Sequence, residues 1–87
     1  MSDDTLFEFP CHFAIKAMGR NTVELDLLVI DIIRRHAPDL IAEHVRIRPS
    51  KDGNFIAVTA TITATSKRQL DAIYHDLTEH PLILVAL

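Results

Sequence analysis

Hydrophobic positions along this chain switch between a period of two and the helical period of about 3.6, and the switches mark its elements. From Cys11 to Met18, Cys11, Phe13, Ile15 and Ala17 alternate with His12, Ala14, Lys16 and Met18. That alternation predicts a strand with one buried face, ended by Gly19. Leu25, Leu28, Val29, Ile32 and Ile33 then recur at helical spacing and predict an amphipathic helix. Asn21 or Thr22 offers N-cap chemistry, Glu24 and Asp26 place acid in the first turn, and Arg34, Arg35 and His36 place base in the last. Caps and helix dipole favour that arrangement. Pro38 stops the helix, because the residue before a proline avoids the helical region.

A second strand is expected from about His44 to Arg48, with Val45 and Ile47 facing in and His44, Arg46 and Arg48 facing out. Residues Pro49 to Asn54 read as a hairpin loop turned by Asp52-Gly53. In the third strand Ile56, Val58, Ala60, Ile62 and Ala64 alternate with Phe55, Ala57, Thr59, Thr61 and Thr63. Ser66-Lys67-Arg68-Gln69 is a capping-box pattern; it opens a second helix with the apolar stripe Leu70, Ile73, Tyr74 and Leu77, closed by Pro81. Leu82 to Leu87 reads as a last strand. The order β-α-β-β-α-β, with right-handed crossovers, predicts an α+β sandwich: a four-stranded antiparallel sheet in the order 4-1-3-2, both helices on one face and the other face open. The 87 residues are expected to form one domain, with residues 1–8 a loosely ordered start.

Two apolar surfaces exceed what two layers can cover. Helix one carries a second stripe, Val23, Leu27 and Ile30, and the last strand is apolar on both faces: Leu82, Leu84 and Ala86 one way, Ile83, Val85 and Leu87 the other. A two-sided apolar strand is normally covered on both sides. Either Leu6, Phe7 and Phe9 fold back over one surface, or a second copy or another protein covers it, with Leu82, Leu84, Val85 and Leu87 as the expected contact.

Charge narrows the chemistry. The formal net charge is -3, against the basic excess of nucleic-acid binders. An RNA-reading sheet carries stacking aromatics on its central strands; here those positions are Ala14, Lys16, Ala57, Thr59 and Thr61, with only Phe55 near the strand start. Five histidines raise a metal question, but no His-x-x-x-His pair occurs, so neither metal nor other cofactor is expected. Cys11 and His12 are strand neighbours on opposite faces and cannot act as nucleophile and base. Cys11 reads as a small buried hydrophobe, and a lone cysteine suits a reducing compartment. The start Met1-Ser2-Asp3-Asp4 has no basic signal region and no apolar run approaches a membrane span, so the expectation is a cytoplasmic protein with neither membrane nor nucleic acid as partner. The loop Ser50 to Asn54 joins two strands rather than opening a helix, so it is expected to be a plain turn and not a phosphate cradle. The candidate binding surface is the open sheet face: Lys16, Arg46 and Arg48, with Met18, Thr59 and Thr61 beside them, able to hold a small anionic ligand or an acidic partner segment. The alternative is a plain solvated sheet face.

Several stretches together resemble one family. Phe9-Pro10 with Phe13, Ile15-Lys16-Ala17-Met18-Gly19, Arg35-His36-Ala37-Pro38, Ser50-Lys51-Asp52-Gly53-Asn54-Phe55, Ile62-Thr63-Ala64-Thr65, Gln69, Tyr74, Leu77, His80-Pro81 and Leu87 are similar in order and spacing to the YbeD-like bacterial proteins, a family of unknown function. The resemblance implies a ferredoxin-like sheet akin to ACT regulatory domains, which often bind small molecules at dimer interfaces. It implies no catalytic residue. The single glycine of Gly19-Arg20-Asn21 departs from the glycine-rich first loop of amino-acid-binding ACT domains. The expected function is a non-enzymatic regulatory or binding module, self-associating, acting through the open face and last strand. The alternative is a small enzyme or accessory subunit of lipoate metabolism, since relatives are often encoded beside lipoate-attachment enzymes.

Overall fold

In the computed structural model, which describes residues 8–22 and 24–87, the alternation in the first and third strands becomes one long antiparallel ladder. Strand β1 (Cys11–Arg20) pairs with β3 (Phe55–Ala64) along its whole length, from Cys11 opposite Ala64 to Arg20 opposite Phe55. β1 thus runs two residues beyond its expected end, because pairing continues through Gly19 opposite Ile56. The sheet order is β2-β3-β1-β4, which read from the other edge is 4-1-3-2. Two helices, α1 (Leu25–Arg34) and α2 (Lys67–Glu79), lie over β3, α1 also touching β1 and α2 touching β4. The fold is the ferredoxin-like α+β sandwich.

The period-two residues fill the core. Ile15 and Ala17 from β1 and Ile56, Val58, Ala60, Ile62 and Ala64 from β3 are all buried, against Leu25, Val29, Ile32 and Ile33 from α1 and Leu70, Ile73 and Leu77 from α2. Phe9 is half-buried against this core; Leu6 and Phe7, and with them most of the expected loose start, lie outside the described residues. Cys11 and Leu28 are likewise only half-buried.

Local details depart from expectation at the ends of elements. Neither Asn21 nor Thr22 caps α1. The N-cap is Glu24, in the left-handed region at φ 82°, with no side-chain cap; that conformation is unusual for a residue with a Cβ. Asn21 instead donates from Nδ2 to the Gly53 carbonyl at 2.9 Å, tying the end of β1 to the hairpin. In the second stripe of α1, Leu27 is exposed, Ile30 packs partly against the core and Val23 lies outside the described residues. His36 does more than complement a dipole: its Nε2–H donates to Asp76 Oδ2 at 2.6 Å, joining the end of α1 to α2. This hydrogen bond is the main reason the Asp76 carboxyl titrates below its ordinary value. Ser66 caps α2 as expected, accepting from the Gln69 amide at 3.0 Å. The Gln69 side chain, however, accepts from the Thr65 N–H, one residue before the cap, and donates to the His36 carbonyl at 2.8 Å.

The outer strands differ most. A short 3-10 turn (Ala42–His44) takes His44 out of the second strand, which runs Val45–Pro49 (β2). Ile47 stands opposite Val58, on the helix side as expected, yet is 50% exposed: β2 is the edge strand and both helices sit over its neighbours. The last strand, β4, is Val85–Ala86 alone, not Leu82 to Leu87. The chain turns at Pro81 and Leu82, the Ile83 N–H bonds back to the His80 carbonyl at 3.1 Å, and Ile83 enters the core. That turn fits against Gly19, where an added Cβ would lie 2.5 Å from the Leu82 carbonyl oxygen. No described helix is long and apolar enough to cross a membrane.

Candidate functional site

On the open face, register rather than proximity in sequence brings the candidate residues together. Thr59 stands between Arg46 of β2 and Lys16 of β1, and Ala57 between Arg48 and Met18. Each row continues into the last strand. Lys16 and Leu87 exchange backbone hydrogen bonds of 3.0 and 2.7 Å, and Met18 stands opposite Val85. The expected site residues Lys16, Met18, Arg46, Arg48 and Thr59 therefore form two parallel rows, and Thr61, opposite Ala14, begins the next. Small residues on β3 make a floor between longer side chains on β1 and β2.

The floor is a groove of about 500 Å³ whose lining includes Lys16, Arg46, Arg48, Ala57 and Thr59. A second groove of about 280 Å³ shares Arg46 and Thr59 with it and is bordered by His12, His44 and Glu43. Among the described residues Lys16, Arg46 and Arg48 make no ion pair or hydrogen bond through their side chains. Elsewhere Arg35 pairs with Asp31 at 2.9 Å and Lys67 with Asp71 at 3.0 Å. Clustering three unpaired cations raises their mutual repulsion and leaves their field directed at solvent, where an anion gains charge-assisted hydrogen bonds. At the far end of the face Arg20 lies over the Phe55 ring, 5.5 Å from its centroid, so the one aromatic there is covered by a cation.

The two expected contact surfaces are continuous. Leu82, Leu84, Val85 and Leu87 are 52%, 56%, 44% and 65% exposed, and register places Val85 and Leu87 beside Met18 and Lys16. Sequence reasoning treated the basic face and the apolar strand as neighbours only in outline, because the pairing of β4 depends on the turn at Pro81 and Leu82. Glu43, His12 and His44 are not among the expected binding residues. Both histidines border the smaller groove, across β3, but no group of three or more His, Cys, Asp or Glu side chains among the described residues could hold a metal. In the hairpin loop the Ser50 hydroxyl and the Asn54 N–H both bond Asp52 Oδ1, at 2.7 and 3.0 Å. Those bonds, Ser50 first, hold the Asp52 carboxyl below its usual range.

A family model described as a protein of unknown function, DUF493, matches residues 4–87. The chain belongs to this family. It is 47% identical over 89 residues to the UPF0250 protein of Chromobacterium violaceum, spanning 100% of each chain. It is 42% identical over 85 residues to that of Paraburkholderia phytofirmans, covering 98% of this chain and 96% of the relative. A UPF0250 protein of Nitrosomonas europaea is 37% identical over 87 residues, 100% of both. The YbeD-like resemblance read from the residues is to this same family of unknown function, whose members include these bacterial proteins.

Proposed function

We propose that this family member is a non-enzymatic binding module, regulatory in the manner of ACT domains, whose working surface is the open sheet face. The observation that carries the reading is the cross-strand row Arg46–Thr59–Lys16, with Arg48 beside it. It concentrates cations that no described carboxylate neutralises, on a chain whose formal net charge is -3. Folding does not require such a cluster, since those side chains are exposed; an anionic ligand uses it. The apolar rim of Leu82, Leu84, Val85 and Leu87 is a second contact surface, continuous with the first and suited to a second copy of the chain. The β4 residues Val85 and Ala86 carry neither charged side chain nor proline to keep another strand away, whereas β2 carries Arg46, Arg48 and Pro49 on the opposite edge. The lipoate-metabolism alternative rests on the resemblance alone.

Amide chemical shifts of the full chain are followed on adding polyglutamate at low and at high salt. Perturbations are expected on Lys16, Arg46, Arg48 and Thr59, shrinking as salt screens the charges. Perturbations spread over α1 and α2 instead, or none at all, would remove the reading.

A further inference from the structure

The shape of the open face restricts what an anionic ligand can be. Ala57, Thr59, Thr61 and Thr63 follow one another at every second position of β3 and form a continuous floor. The two grooves lie side by side along it and share Arg46 and Thr59. Together their floors span Ala57 to Thr63, six residue steps of about 3.4 Å, or roughly 20 Å. Along Ala57 to Ala60 the flanking strands β1 and β2 are two inter-strand spacings apart, roughly 9.5 Å, which leaves room for one extended chain; toward Thr63 the wall on the β2 side is Glu43 and His44 of the 3-10 turn. A small ligand is held by a concave pocket that closes around most of its surface; here the walls are exposed side chains on two sides only.

The charges are spaced for the same shape. Arg46 and Lys16 flank Thr59, and Arg48 flanks Ala57, one row further on. Rows two residues apart repeat at about 6.8 Å, as do alternate side chains of an extended segment. Carboxylates at positions i and i+2 of such a segment meet both rows at once. The hydroxyls of Thr59, Thr61 and Thr63 make no hydrogen bond among the described residues, so the floor can bond the segment's backbone. Beyond Lys16, the exposed Val85 and Leu87 offer a resting place for apolar side chains of the same segment. A nucleic-acid strand would need aromatic platforms for its bases, and the floor is alanine and threonine.

We infer that the open face binds an extended acidic segment of a partner protein, laid along β3 with carboxylates at alternate positions. This rests on the anion-binding reading above and narrows it to a polypeptide of one conformation. The test uses the full chain and four probes: a labelled peptide of about nine residues alternating Glu with Val, a peptide of the same composition with its glutamates in one block, citrate, and a short oligothymidylate. Anisotropy and competition are expected to show the alternating peptide binding about tenfold tighter than the other three. Lys16→Glu and Arg46→Glu, both at exposed positions, are each expected to weaken it about tenfold. Arg68→Glu, exposed at the start of α2, is expected to leave it unchanged. Where a reversal lowers the thermal midpoint, Lys16→Gln replaces it. Equal binding of the block peptide or citrate overturns the extended-segment inference and leaves the anion-binding reading standing. Tighter binding of oligothymidylate, or loss of affinity in Arg68→Glu equal to that in Lys16→Glu, also overturns it. If none of the four binds, both readings fall.

Discussion

The two faces of β3 are built from adjacent residues and obey opposite rules. On one, Ile56, Val58, Ala60, Ile62 and Ala64 are buried beneath both helices. On the other, Phe55, Ala57, Thr59 and Thr61 are half-exposed and Thr63 is exposed; Arg20 lies over Phe55, and neither helix covers this face. The covered face is committed to stability: each of its side chains is held by several neighbours and none is free to meet a ligand. The open face contributes little to the core, so its residues can be chosen for charge and shape. One strand thus separates what holds the protein together from what it can bind, and substitutions a single residue apart should have unrelated effects.

The strongest break in that comparison is Val58→Asp. Val58 is 0% exposed, so a carboxylate there has no water or partner. The expected loss is about 4 kcal/mol or more, most of the roughly 5 kcal/mol available to a small domain, and urea unfolding followed by circular dichroism measures it. A cooperative, near-normal transition would show that the helix-covered face is not sealed.

A smaller effect is expected where the faces meet, at the rim of β4. If the exposed apolar row associates with a second copy, sedimentation across a dilution series gives a concentration-dependent mass, and Leu84→Lys with Val85→Lys returns a monomer. The folding stability of that monomer should change by about 0.5 kcal/mol or less, because both sites are exposed. A strict monomer in the unsubstituted chain at high concentration contradicts self-association.

The smallest effect concerns the His36–Asp76 bond that joins the two covering helices. Its carboxyl titrates below the ordinary value, chiefly because His36 donates to it. A depressed carboxylate contributes stability that is complete above its ordinary pKa and is lost as pH falls through the lowered one. The chain should therefore lose this contribution only in acid, below about pH 4. Asp76→Asn should lower stability at neutral pH and flatten the acid limb. Thermal midpoints of both proteins across that range, diverging in acid rather than converging, would contradict it.

Much of this was legible in the chain. Alternation in Cys11 to Met18 and Phe55 to Ala64, helical spacing in α1 and α2, and the turn at Asp52-Gly53 reproduce the elements and their order, because periodicity reports directly which face of an element meets the core. The basic patch was legible for the same reason: Lys16, Arg46 and Arg48 occupy the positions out of phase with the buried residues. Other features depend on contacts between distant residues. Asn21 carries good capping chemistry yet bonds Gly53, because the end of β1 lies against the hairpin. Ile47 has an inward phase yet stays half-exposed, because no helix extends over the edge strand. Leu82 to Leu87 has the composition of a strand, but the turn that seats Ile83 leaves β4 only Val85 and Ala86.

The sequence by itself determined which residues face the core, the succession of elements and the sign of the open surface, since each follows from local side-chain pattern. Only the tertiary structure decided the cross-strand rows Arg46–Thr59–Lys16–Leu87 and Arg48–Ala57–Met18–Val85. Register is a property of two strands together, and a shift of one residue in either would have turned the same side chains to the opposite face.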